Sequence, residues 1–149
     1  MKAVPSFYHI SHIERRILIM AARDEIQSLM EQALSAFNKG DPAPFLNLLD
    51  DDLEVFDHAP YRFDDKPSFV AYLQSLMVGA EAASVVFHQP SYRTFNDNTG
   101  IVNTYDVFTV VPKGGGAPQV QNNRTTYIYV KKSGQWKIVS AHFSPLPQH

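Results

Sequence analysis

Asp57, His58, Tyr105, Tyr127 and His142 are the side chains of this sequence best suited to moving protons on a small molecule. Histidine titrates near neutral pH, which suits proton transfer. His142, with Tyr105 and Tyr127 on neighbouring segments, could position or protonate a substrate oxygen; the alternative is a histidine held by Ser144 or a backbone carbonyl. Asp57 and His58 stand where a short strand pattern ends, beside Phe56, Tyr61 and Phe63. A carboxylate desolvated by such neighbours is a stronger general base; otherwise Asp57 caps a turn and His58 is solvated. Tyr61 and Trp136 are candidate substrate contacts. Arg124, flanked by Asn122, Asn123, Thr125 and Thr126, could grip a carboxylate or phosphate bidentately. A pairing of Arg124 with Asp106 on the adjacent strand is slightly favoured, because a lone charge on a β-rich strand is costly to bury.

Other chemistries lack their motifs. His58, His88 and His142 with Asp57 show no short-spaced metal-ligand pattern, so no metal is expected. Gly114–Gly116 does not open a helix, so it is no phosphate loop. The nucleophile-elbow motif is absent, and no cofactor is expected. Zero cysteines exclude disulfides and thiolate chemistry. The 149 residues are 44% hydrophobic and 19% charged, with a net charge of −2. That length suits one domain able to bury about 70% of its unfolded surface. The mixed charge argues against nucleic acid as partner, since phosphate contacts need clustered Lys and Arg. Ile17–Ala22 follows two arginines but is closed by Arg23 and Asp24. It is too short for a signal peptide, which needs roughly 7–15 apolar residues, or for a membrane span of about 20. Residues 1–23 therefore read as an extension, with Met20 an alternative start, and a cytoplasmic location is expected.

Helices come first in the chain. Ile26, Leu29, Met30, Ala33, Leu34 and Phe37 lie on one face of an amphipathic helix. Asp24 with Gln27 resembles its capping box and Lys39-Gly40 its stop. Asp41-Pro42 starts a second, short helix ending near Asp50–Asp52, which reads as a solvated helix end. Leu53–Asp57 alternates like a strand, and Asp65 caps a third helix to about Met77. Four long strands then follow: Ala82–Phe95, with a bulge or bend at Pro90; Ile101–Val111; Gln119–Lys132; and Gln135–Ser144. Ser133-Gly134 is a two-residue hairpin signal. Helices segregated from an antiparallel sheet define an α+β fold, and a strongly curved sheet wrapped around them makes a cone with a pocket at its open end.

The hairpin sets the faces. Its turn pairs 132 with 135, hence 127 with 140 and 125 with 142. One face then carries Thr125, Tyr127, Tyr129, Trp136, Ile138, Ser140 and His142, as a ligand pocket would. The other carries Arg124, Thr126, Ile128, Val130, Val139, Ala141 and Phe143, as a core or dimer contact would. A bulge in this ladder would exchange the assignments.

Lys39-Gly40-Asp41, Phe56-Asp57, Arg124-x-Thr126 and the run Ser133–Ser144 (SGQWKIVSAHFS) together resemble the nuclear transport factor 2-like superfamily. Within it the SnoaL-like branch and the association domain of calmodulin-dependent protein kinase II are nearest. The likeness spans about residues 24–146, leaving 147–149 as a tail. It implies a cystatin-like cone, a pocket between sheet and helices, and a homodimer or larger homo-oligomer. In the isomerase and dehydratase branches such a pocket carries an acid/base carboxylate or histidine and a hydrogen-bonding tyrosine. In the kinase association domain it carries arginines on the sheet, and two of the matching positions here are Tyr105 and Tyr127. Two function classes follow. One is a cofactor-independent isomerase, dehydratase or cyclase, or a binder, of a small organic ligand. Its base would be Asp57 or His142, and Tyr105 or Tyr127 would be its donor. The other is a non-catalytic oligomerisation module.

Overall fold

A computed structural model describes residues 10–58 and 61–147. Helix α1 (His12–Phe37) begins well before the expected start at Asp24. The functioning capping box is Ser11 with Glu14: the Ser11 hydroxyl accepts from the Glu14 N–H at 3.2 Å, and the Glu14 carboxylate accepts from the Ser11 N–H at 2.7 Å. Asp24 and Gln27 instead make surface contacts along the helix, to Arg23 and Glu31. The first turns expose Ile13, Ile17 and Met20, whereas Ala22, Ile26, Met30 and Ala33 form the buried stripe. Asn38 ends the helix and hooks it to the sheet. Its side-chain amide donates to the Val85 carbonyl at 2.9 Å and accepts from the Val85 N–H at 2.8 Å, as a strand neighbour would. No described helix is long and apolar enough to cross a membrane.

Helix α2 (Ala43–Leu48) follows Pro42, with the Asp41 carboxylate accepting from the Ala43 N–H. It ends before the acidic run. Strand β1 (Leu49–Phe56) contains Asp50–Asp52, so these residues edge a strand and do not end a helix. Lys132 donates to Asp50 at 2.9 Å and holds its carboxyl below the usual range. After β2 (Arg62–Phe63) comes α3 (Lys66–Met77), capped by Asp65, whose carboxylate accepts from the Ser68 N–H at 2.7 Å. Strand β3 (Ala80–Thr94) shifts register between His88 and Ser91, around Pro90, with Gln89 at positive φ. Strands β4 (Thr99–Pro112), β5 (Gln119–Lys132) and β6 (Gln135–Pro145) complete the chain. Ser133 and Gly134 both have positive φ, the requirement of the tight hairpin turn whose twist matches its strands.

The sheet is open, curved and six-stranded, in the order β2-β1-β6-β5-β4-β3. All pairs are antiparallel except β1 with β6. Its inner face meets α1, α2 and α3 through a core that includes Leu53, Val55, Phe69, Val102, Tyr129 and Ile138. The decisive detail lies in β6. Tyr129 pairs with Ile138, but Ile128 pairs with Ser140, so Val139 is an extra residue. Beyond it Tyr127 faces Ala141 rather than Ser140, and Thr125 faces Phe143 rather than His142. Ala141 and Phe143 therefore turn inward, while Ser140 and His142 turn out.

Candidate active site

A cavity of about 390 Å³ lies between the inner face of the sheet and the three helices. Its walls are mostly apolar, including Phe45, Phe69, Leu73, Phe108 and Phe143. Tyr127 lines it and packs edge-on to Phe143, with centroids 5.8 Å apart. The alternation of β5 brings Gln121 and Asn123 to the same inner face as Tyr127, and the pairing of Asn123 with Asp106 brings Asp106 opposite them on β4. Asp57 and His58 reach the cavity from the end of β1.

These polar groups form one directed array. Gln121 Nε2 donates to His58 Nδ1 at 2.7 Å, which leaves the ring proton on Nε2. His58 Nε2 donates to Asn123 Oδ1 at 3.1 Å. Asn123 Nδ2 then donates to Asp106 Oδ1 at 2.9 Å, and the Thr125 hydroxyl donates to Asp106 Oδ2. Asp106 is only 4% exposed. Asp57 Oδ1 accepts from the His58 backbone N–H at 2.7 Å and lies 3.6 Å from the ring Nδ1. Burial, reinforced by the charges of Asp106 and Asp57, pushes the Tyr127 phenol well above its ordinary range, so it keeps its proton and can donate. Burial and Asp57 act on Tyr72 in the same direction.

The expected site residues divide sharply. Asp57, His58 and Tyr127 line the cavity. Tyr61 backs it, stacked on the lining Tyr72 at 5.3 Å. His142 is exposed on the outer face, 6.3 Å from the Phe56 ring, because the Val139 bulge reverses its side. Tyr105 is 46% exposed and stands opposite the exposed Arg124 on that same outer face. Arg124 therefore does not pair with Asp106, which faces inward with Asn123 and Thr125 as partners. Trp136 is buried away from the cavity, its Nε1 donating to Glu25 at 2.6 Å beneath α1. Gln121, Asn123, Tyr72 and Phe108 also line the cavity, and their residue types alone do not mark them in the sequence. The period-two spacing from Tyr127 back to Asn123 and Gln121 was the available signal. Among the described residues no group of three or more His, Asp or Glu is placed to hold a metal ion.

Residues 22–147 match the calcium/calmodulin dependent protein kinase II association domain. The chain belongs to this family. No curated protein matches its sequence. Among solved structures, a protein provisionally named scytalone dehydratase from Novosphingobium aromaticivorans superposes with a TM-score of 0.76 at 12% identity, covering 86% of each chain. A protein from Xanthomonas campestris, provisionally named for the association domain, gives 0.70 at 20% identity, covering 84% of this chain and 88% of that one. A nuclear transport factor 2-like protein of unknown function from Pseudomonas putida gives 0.71 at 21% identity, covering 84% and 87%. At these identities the likeness is one of fold: the association-domain family shares the nuclear transport factor 2-like, cystatin-like architecture.

Proposed function

We propose that the cavity binds a small, mainly apolar organic molecule and performs proton transfer on it without a cofactor, as in isomerisation, dehydration or cyclisation. One observation carries this: an aromatic-walled cavity of about 390 Å³ that holds two carboxylates, a histidine and a phenol whose pKa burial raises well above its ordinary value. Asp57 is the base. Tyr127 donates to the oxygen on which negative charge develops. The Gln121–His58–Asn123 array fixes the imidazole tautomer, and Asn123 and Thr125 each donate to Asp106. The structural neighbour provisionally named a dehydratase supports the fold's capacity for such a pocket.

The test is deuterium exchange at the carbon next to the carbonyl of apolar aromatic ketones, followed by NMR. Exchange above background is expected for the wild type and for His142→Gln, and its loss is expected for Asp57→Asn. Equal exchange in Asp57→Asn and wild type overturns the assignment.

Family membership favours a second activity, self-association. Val86, Tyr105 and Val120 are half-exposed on the outer sheet face and offer an apolar contact for a second copy. A monomer by light scattering at high micromolar concentration overturns this.

A further inference from the structure

Histidine aside, the titratable side chains that line the cavity are acidic or phenolic. Asp57 and Asp106 line it, and among the described residues no lysine or arginine does. Asp106 receives hydrogen bonds from two neutral donors, Asn123 and Thr125, and from no cation. The described lysine and arginine ion pairs lie elsewhere, on Asp24, Glu25, Asp50, Glu54 and Asp64. A buried carboxylate gains most from an opposite charge brought into the same dry space, and none of the described lysines or arginines supplies one. Asp57 accepts from the His58 backbone N–H and the His58 ring reaches Asp106 through Asn123, so the two carboxylates mark one end of the cavity. The remaining wall is rich in rings, among them Phe45, Phe69, Phe108 and Phe143, whose faces attract cations and whose edges accept an apolar body.

We infer that the ligand of this cavity is an organic cation: a protonated amine on an apolar, preferably aromatic, body, with its ammonium directed to Asp106. This rests on the small-molecule pocket proposed above and names its substrate class. Asp106 is then the anchor for the ammonium, and Asp57 remains the base. An anionic ligand would meet two carboxylates with no compensating charge.

The test uses three probes that share one skeleton and differ in the head group: naphthylethylammonium, naphthylethanol and naphthylacetate. Their dissociation constants are measured by calorimetry at low salt and neutral pH. The ammonium is expected to bind at least about tenfold more tightly than the alcohol, as a charge-assisted hydrogen bond allows, and the carboxylate more weakly than either. Asp106→Asn is expected to shrink the preference for the ammonium over the alcohol to below about threefold. Should that variant fail to fold, the ranking of the three probes on the wild type decides alone. Equal or tighter binding of the alcohol or the carboxylate overturns the cation assignment while leaving the pocket standing. Binding by none of the three overturns the pocket and the cation assignment together.

Discussion

Asn123 joins both halves of the polar array, so Asn123→Ala is its most direct perturbation. The side chain is buried, donates to Asp106 at 2.9 Å and accepts from His58 at 3.1 Å. Losing the bond to a carboxylate costs about 1.5–3 kcal/mol, and losing the neutral one costs about 0.5–1.5 kcal/mol. Because Asp106 lines the cavity, water can replace part of the lost contact. The expected destabilisation is therefore about 2–3 kcal/mol, which in a domain of this size lowers Tm by roughly 5–10 °C. Urea denaturation should show a lower midpoint with an unchanged slope. Nitrogen-15 NMR of the imidazole should show the proton of His58 released from Nε2 into a mixture of tautomers. The exposed neighbour Asn122 serves as control, and Asn122→Ala should move stability by less than about 0.5 kcal/mol. A loss below about 0.5 kcal/mol in Asn123→Ala, with the His58 tautomer unchanged, would refute the array.

Three further outcomes follow from the core. A Cβ at Gly100 would overlap Ile26 Cδ1 and press on the Arg93 carbonyl at 3.2 Å, so Gly100→Ala should cost about 1–3 kcal/mol in chemical denaturation. A cost below about 0.5 kcal/mol would mean that α1 packs less closely on β4. The Tyr129 hydroxyl is buried without a hydrogen-bond partner among the described residues, so Tyr129→Phe should stabilise by about 1 kcal/mol. Destabilisation there would reveal a hidden partner. Glu25 titrates below its ordinary value of 4.5, held chiefly by the Trp136 hydrogen bond and then by Lys131. A depressed folded value means the contribution is complete above about pH 4.5 and fades as pH falls through the folded value. The stability difference between wild type and Glu25→Gln, followed by Trp136 fluorescence, should thus be flat at neutral pH and shrink in acid. A difference constant down to pH 3 speaks against the pairing.

What could be read from the sequence was whatever short-range chemistry decides. The Asp65 cap of α3 and the Ser133-Gly134 turn need only neighbours, and both stand as expected. The Asp24 start for α1 is too late because Ser11-x-x-Glu14 is a second match to the same capping pattern, and it is there that both reciprocal hydrogen bonds form. Asp50–Asp52 sit in a strand whose partner β6 is distant in sequence, and Lys132, equally distant, pairs with Asp50. The site was half legible. Asp57, His58 and Tyr127 carry their chemistry in their types, whereas Asn123 and Gln121 matter only because register sets them beside Asp106 and His58. No residue type announces the bulge: Val139 is as strand-compatible as Ile138, and the displacement of His142 follows from it alone.

That extra residue also governs how positions correspond between distantly similar chains. At 12–21% identity, gap placement in an alignment rests on little. Against a relative whose last strand runs without the bulge, a one-column gap opened at Val139 keeps Phe143 matched to pocket residues and His142 to surface residues. The same gap slid to the end of β6 exchanges the two, and would set a pocket-facing position of that relative against a residue that faces solvent here.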